Sequence, residues 1–336
     1  MTPERPLAIY YEHPHWFEPL FAELTRREIP HARIDATRHV FEPGQPDTDY
    51  ALVFNRMSPS AWKRGLPGAI FAARDYVAHL EGAGVPVFNG SAAFAIETSK
   101  AQQVSLLERL GLPAPRTRAV GHPSLLPVAA RSLRFPVIVK PNVGGSGAGI
   151  VRFDGELELA AAVSSDSLDR GVDGVLLLQE YHPPRGRSIV RVETLEGEYL
   201  YGIRIHLAEG AGFDLCPADV CKTVDGEDLV SAACPTGAAK AGLTVEGFRP
   251  PTNVIHQVER IARAARLDVG GIEYLDSERD GRLYFYDINA LSNFVADPVR
   301  VVGFDPTERL VDALVARSRA QEGRERRRAS AAGGAS

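Results

Sequence analysis

The sequence predicts an α/β fold at its N-terminus and an α+β core after it. Three observations carry that expectation. Over the first hundred residues, short apolar runs alternate with segments of helical spacing. In the middle, a strand that ends in a lysine enters a glycine-rich loop and leaves it as another strand. Near the C-terminus, 270–277 and 282–289 alternate in strand formers on either side of a tight turn. The chain has 336 residues, enough for two or three domains. Its 44% hydrophobic and 24% charged residues are ordinary for a globular protein.

The first unit, 1–95, reads as strands at 7–11, 32–35, 50–54 and 85–88, with helices at 16–28 and 69–80. Gly84 stops the second helix. This βαβ rhythm predicts a small open sheet, mainly parallel. No Gly-x-Gly-x-x-Gly follows the first strand, which excludes an obvious dinucleotide domain. Ligands of such sheets bind beyond the carboxyl ends of the strands. Two clusters are expected there, Glu12-His13-Pro14-His15 and Asn55-Arg56-Met57-Ser58. Arg56 has the planar fork that holds a substrate carboxylate, or it is a loop arginine paired to a local acid. His13 and His15 read as ordinary loop histidines.

The second unit, 96–185, opens with a helix over 96–110 that carries Lys100 in its first turn, followed by a linker marked by Pro113 and Pro115. A buried strand, 136–139, ends at Lys140. Gly144-Gly145-Ser146-Gly147-Ala148-Gly149 comes next, then a strand at 150–153. A P-loop has the reverse order, glycines before lysine and then a helix. The physics is related: glycines let backbone N–H groups approach phosphate oxygens, and Lys140 supplies a point charge. The bland alternative is a tight hairpin. A helix at 157–163 and a very apolar strand at 175–179 follow. That strand runs into Gln179-Glu180-Tyr181-His182, which can offer backbone groups to an adenine edge, with Gln179 or Glu180 at its amino group.

The third unit, 186–320, has strands at 189–195 and 199–206, from which Arg191 and Arg204 alternate outward, and an irregular stretch over 212–227 read as a substrate loop. An amphipathic helix at 254–267 leads into the hairpin. A three-residue loop, Arg279-Asp280-Gly281, would place Gly281 in the left-handed position. That register sets Glu273 opposite Asp287, with Asn289 on the same face and Tyr274, Tyr286 and Ile288 turned to a core. Two carboxylates and an amide oxygen suit a Mg²⁺ that also holds phosphates; otherwise this is a solvated polar face. Asp305-Pro306-Thr307-Glu308 is a well-capped helix start, running to about 317. Residues 321–336 read as a disordered tail.

The order is thus helix lysine Lys100, strand-end lysine Lys140, glycine loop, Gln179-Glu180-Tyr181, and Glu273 followed by Asp287-x-Asn289. It resembles the ATP-grasp superfamily over 96–293, and within it the carboxylate–amine ligases related to RimK-type glutamate ligases, glutathione synthases and D-alanine–D-alanine ligases. The resemblance implies a pre-ATP-grasp domain at 1–95 and an ATP-grasp fold of two α+β subdomains, a lid at 96–185 and a metal-bearing subdomain at 186–320. It implies that Lys100, Lys140, Gly145, Ser146, Gly147, Gln179, Glu180, Tyr181 and His182 bind ATP. It further implies that Arg204 lies near the transferred phosphate as a catalytic residue with Lys140, and that Glu273, Asp287 and Asn289 hold Mg²⁺, with Mn²⁺ as a substitute. Arg56, Lys222 and Asn293 are the implied substrate contacts. Three departures stand out. The acid expected to contact ribose falls near Ser188 or Ile189. An Arg-x-Asn element is replaced around Phe213-Asp214-Leu215-Cys216. Asn289 continues as Ala290-Leu291-Ser292-Asn293-Phe294 where relatives often read Ser-Pro-Gly.

The net charge of −5 argues against a general nucleic-acid or anionic-membrane binder. No run of 18 apolar residues exists, and the first residues lack an apolar signal region, so a cytoplasmic protein is expected. Cys216, Cys221 and Cys234 make no disulfide scaffold, and no histidines stand at finger-like spacing for a soft metal. The resemblance implies an ATP-dependent ligase that joins a small-molecule carboxylate, an amino acid or short peptide, to an amine through an acyl phosphate, as a homodimer by analogy. Its rivals are a small-molecule kinase on the same fold and a non-catalytic ATP-binding regulator.

Overall fold

The computed structural model describes residues 3–13, 15–45, 49–145, 147–207 and 243–333. Three sheets organise them. The first is parallel, in the order β2-β1-β3-β4, from β1 (Leu7–Tyr11), β2 (His31–Asp35), β3 (Leu52–Arg56) and β4 (Val87–Phe88). Helix α1 (Glu18–Arg26) covers one face with Leu20, Phe21 and Leu24, and α2 (Pro67–Gly82) covers the other with Ile70, Tyr76 and Leu80. The mainly parallel open sheet is as expected. β3 runs two residues further than expected, so Asn55 and Arg56 end the strand instead of lying in a loop.

The helix expected over 96–110 is broken. α3 (Ser91–Glu97) stops, and Ser99 begins α4 (Lys100–Arg109) by accepting the Gln102 N–H on its hydroxyl. Lys100 is therefore the first residue of a helix. The second sheet is antiparallel, in the order β5-β8-β6-β7, from β5 (Thr117–Val120), β6 (Val137–Pro141), β7 (Val151–Phe153) and β8 (Leu176–Glu180). Helices α5 (Leu126–Ala130) and α6 (Glu156–Ser164) close its core through Leu126 and Leu159.

The third sheet is also antiparallel, in the order β11-β10-β9-β12-β13, from β9 (Ser188–Leu195), β10 (Glu198–His206), β11 (Thr244–Gly247), β12 (Val269–Asp276) and β13 (Leu283–Asn289). Helix α7 (Thr252–Ala264) buries Val254, Val258 and Ile261 against it. A short α8 (Pro298–Val302) precedes α9 (Pro306–Gly333). α9 returns to the first sheet: Leu310, Val311 and Leu314 pack with Leu7, Ile9 and Phe54.

α9 corrects the expectation of a disordered tail over 321–336, since it is helical to Gly333. Composition misled there, because the Arg, Glu and Ala that look solvated are also strong helix formers. Tertiary partners fix the segment. The Glu322 carboxylate accepts the Glu4 and Arg5 N–H groups at 3.0 and 3.1 Å, and Arg5 pairs with Glu325 at 2.6 Å.

Candidate nucleotide and metal cleft

A cleft of about 360 Å³ lies between the second and third sheets. One wall is the second sheet. Lys140 is buried on β6, and its Nζ donates to Gln179 Oε1 on β8 at 3.0 Å. Burial, then repulsion from Lys100, lowers the Lys140 ammonium to a pKa of about 7. The glycine loop roofs this wall with Gly144, Gly145 and Gly147; Ser146 lies outside the described residues. A Cβ on Gly145 would stand 2.8 Å from the Ser60 Cβ, so only glycine lets the loop lie on the N-terminal unit. Gln179, Glu180, Tyr181 and His182 all line the cleft. Their side chains are largely engaged with other protein groups, Gln179 and Glu180 within this wall and His182 across to the end of β12. Gln179 also donates to Thr117 at 2.8 Å, Glu180 accepts the Arg134 N–H at 3.0 Å, and the His182 ring lies 3.0 Å from the Ser277 hydroxyl. Ile189, near the missing ribose acid, is an apolar part of the lining.

The opposite wall is the β12–β13 hairpin. Glu273 and Asp287 are cross-strand partners, as expected, although the turn is built differently. Asp276 pairs with Leu283, one step out of the expected register, and Gly281 adopts a φ of +72°. A β-bulge between Tyr274 and Glu273 takes up the extra residue and restores the Glu273–Asp287 pair. It also corrects one orientation. Phe285 packs in the core with Tyr274, and Tyr286 lines the cleft beside Asp287.

Charges on this wall are compensated. Lys100 Nζ donates to Asp287 Oδ1. Burial raises the Asp287 carboxyl, but the Lys100 charge and hydrogen bond outweigh it, and its pKa is lowered. Burial raises Glu273 although Arg191 pulls it down. Arg191, on β9 directly across from Glu273, donates to Glu273 at 2.9 Å, Glu193 at 2.6 Å and Ser292 at 3.2 Å. Gly271 makes room for it, because a Cβ there would sit 2.5 Å from Arg191 Nη2. Ser292 in turn donates to Glu193.

The structure does not bring Arg204 into the cleft. On β10 it is paired with Val190, so it shares the face of the α7 core, whereas Arg191 points the other way. Arg204 stacks on Phe248 at 3.8 Å and pairs with Glu246 at 3.7 Å. Arg191, noted in the sequence only as alternating outward, lines the cleft that Arg204 was expected to reach. Strand pairing decides this, and no local motif announces it. Glu97 was also missed. It is buried at the cleft, and its carboxylate accepts the Ala290 and Leu291 N–H groups. Burial, then the nearby Asp287, raises it to about 7.

Arg56 lies outside the cleft. It lines an adjoining cavity of about 250 Å³ together with Phe17, Leu20, Phe294 and Leu310, and Trp16 and Asn293 border both spaces. Arg56 is 3% exposed and makes no ion pair with an acid among the described residues. Its Nη2 donates to the Ser292 carbonyl and, at 3.3 Å, to Asn293 Oδ1. Its Nε and Nη1 have no hydrogen-bond partner among the described residues. Burial lowers its pKa to about 9. His13 stacks on Trp16 at 4.0 Å, and His15 pairs with Glu18 at 3.3 Å, in keeping with a structural reading of both. Lys222, the 213–216 stretch and all three cysteines lie outside the described residues.

The donor set fits a hard divalent cation. Glu273 and Asp287 face each other, Asn289 follows on the same face, and the Asn289 Nδ2 has no partner among the described residues. No group of three or more His, Cys, Asp or Glu that would hold a metal occurs among the described residues. Two carboxylates and an amide leave coordination positions for phosphate oxygens, which is how Mg²⁺ is commonly held at nucleotide sites.

A cleft with a buried lysine and a glycine loop on one antiparallel sheet, facing a carboxylate pair on another, behind an N-terminal parallel sheet, defines the fold class. The fold is the ATP-grasp fold. The ATP-grasp ligase PsnB, solved with its minimal precursor, superposes with a TM-score of 0.63 at 20% identity, covering 94% of this chain and 100% of that one. The RimK domain protein of Sphaerobacter thermophilus DSM 20745 gives 0.63 at 15% identity over 91% and 99%. The D-alanine–D-alanine ligase of Bacillus anthracis gives 0.63 at 14% over 95% and 99%. No family model matches the sequence, and no curated protein does. No helix among the described residues is long and apolar enough to cross a membrane.

Proposed function

We propose that this chain is an ATP-dependent ligase that joins a carboxylate to an amine. The observation that carries the reading is the opposition across one cleft of Lys140 and its glycine loop to the Glu273–Asp287 pair. Cations for phosphates thus face anions for a metal. The structural neighbours support the same reading, since PsnB, D-cycloserine synthetase DcsG and D-alanine–D-alanine ligase are named as ligases or a synthetase, and PsnB was solved with Mg and ADP.

In this reading a carboxylate oxygen attacks the γ-phosphorus of ATP, and ADP leaves. The amine then attacks the acyl phosphate carbon, loses a proton, and phosphate departs with the electron pair of the broken C–O bond. No side-chain nucleophile is needed; the work is positioning and charge neutralisation. Lys140 and Lys100 hold the phosphates. Gly145, Ser146 and Gly147 close over them, and the 179–182 segment borders the base. Arg191, in place of Arg204, is the strand arginine at the cleft, where it orients Glu273. Glu273, Asp287 and Asn289 would hold Mg²⁺, which would supply neutralisation of the phosphate charge. Arg56, with two unmet donors beside Asn293, takes a substrate carboxylate.

The test is a screen of amino-acid pairs for ATP- and Mg²⁺-dependent phosphate release, with mass detection of products. A condensed product with free phosphate is expected. A phosphorylated product that retains the phosphate would make the protein a kinase, and nucleotide binding without turnover of any pair would make it a regulator.

A further inference from the structure

Strand β13 carries Asp287 and Asn289, yet among the described residues it is the edge of its sheet. The backbone groups that face away from β12 meet no neighbouring strand among those residues. An edge strand with one free side is a poor base for an aligned pair of side chains. Here the free side is met by side chains. Gln103, 2% exposed on α4, donates from Nε2 to the Ile288 carbonyl at 2.7 Å and accepts the Ile288 N–H on Oε1 at 3.2 Å. One carboxamide thus makes both bonds that a residue of a sixth strand would make. Two positions on, Glu97 accepts the Ala290 and Leu291 N–H groups. Asn89, also 2% exposed, donates to the Ala290 carbonyl at 2.7 Å. It also ties in the start of β12, through the Asp268 N–H at 2.8 Å and the Val269 carbonyl at 2.7 Å. The Phe285 N–H meets the Pro113 carbonyl at 2.9 Å.

We propose that Asn89, Glu97 and Gln103 form a surrogate strand that positions the metal-binding end of β13. The inference rests on the proposed metal site. All three lie between the end of β4 and α4, so the segment that joins the first unit to the second sets the alignment of ligands on the third sheet. Each of Asn89 and Gln103 uses both ends of its carboxamide on backbone, and Glu97 spends one oxygen on two N–H groups. These residues reach the metal site through the backbone of 288–291. They are positioning residues.

The test uses the full chain, Mn²⁺ as the probe and a non-hydrolysable ATP analogue, with two readouts that need no turnover. Mn²⁺ affinity is measured by electron paramagnetic resonance, and amide exchange is followed at Ile288, Ala290 and Leu291. Gln103→Leu removes both strand-like bonds at similar size. It should weaken Mn²⁺ binding about tenfold or more and speed exchange at Ile288, with the nucleotide analogue still bound. Glu97→Leu should do the same at Ala290 and Leu291. Glu97→Gln keeps an acceptor oxygen and should hold Mn²⁺ within about threefold of the parent, below the range for a lost supporting contact. Faster exchange with unchanged Mn²⁺ affinity would overturn the positioning role and leave the ligase reading standing. Equal loss in Glu97→Gln and Glu97→Leu would assign Glu97 a charge role and overturn its place in the surrogate strand. A parent protein that binds the analogue but no Mn²⁺ would overturn the metal site and this inference with it. If Gln103→Leu does not fold, Gln103→Met, which also lacks both bonds, gives the same two readouts.

Discussion

The two walls of the cleft are both antiparallel sheets, and they treat charge in opposite ways. On the second sheet Lys140 is buried beside a neutral amide, Gln179, and repelled by Lys100. At the third sheet the charges that face the cleft are paired: Asp287 with Lys100 of α4, and Arg191 with Glu193 and Glu273. The difference has a physical meaning. A buried cation without a counterion is a standing cost that an arriving phosphate relieves. In the proposed reading, a carboxylate already paired would exchange its internal cation for a metal and free the lysine for the phosphates. One wall would then take an anion, and the other would give up an internal pair.

The sharpest way to break this contrast is Asp287→Asn. It removes the exchangeable carboxylate and should lower ATP turnover a hundredfold or more, about 3 kcal/mol, with unchanged circular dichroism. Parent-like turnover would remove the metal assignment. Lys140→Met should come next. It relieves the buried charge, so thermal stability should hold or rise, while affinity for ATP falls by about a hundredfold. Gly145→Ala tests the roof. Its methyl group must displace Ser60 or the loop, and KM for ATP should rise about tenfold. Arg191→Met and Arg204→Met separate the two faces of the third sheet. The first should cost activity heavily, and the second should change kcat by less than about twofold, as expected for a half-exposed pair with Glu246.

The smallest effect is a proton. Lys140 has a folded-state pKa near 7, so above that pH it is mostly neutral in the free protein. Bound phosphates favour the charged form and raise its pKa. ATP binding at pH 8 should therefore take up protons, and affinity should fall as pH rises through 7. Titration calorimetry in buffers of different ionisation enthalpy measures this. Proton release on binding would contradict the assignment.

Much of the site was legible because it is local. Lys140, the glycine loop and Gln179-Glu180-Tyr181-His182 are each set by a strand and the residues after it, and all line the cleft. The Glu273–Asp287 pair was read correctly even though the turn was not, because the bulge cancelled a one-residue error in register. That same bulge turned Tyr286 to the cleft, against the simple alternation. The choice between Arg191 and Arg204 needed the pairing of β9 with β10 and β12, which no spacing reveals. Nothing local marks Gln103 and Asn89, whose partners lie more than 170 positions away. Ser99 was the readable signal that went unread: a serine before a lysine is a helix start, and it divides the helix expected over 96–110.

The return of α9 to the first sheet has a consequence for synthesis. Domains generally fold as they leave the ribosome, N-terminal first. Here Leu7, Ile9 and Phe54 share a core with Leu310, Val311 and Leu314. The face that α1 covers therefore emerges with its α9 side still open, and that side stays open until residues 306–314 have been made. A ribosome stalled before residue 306 would present that side as exposed apolar surface.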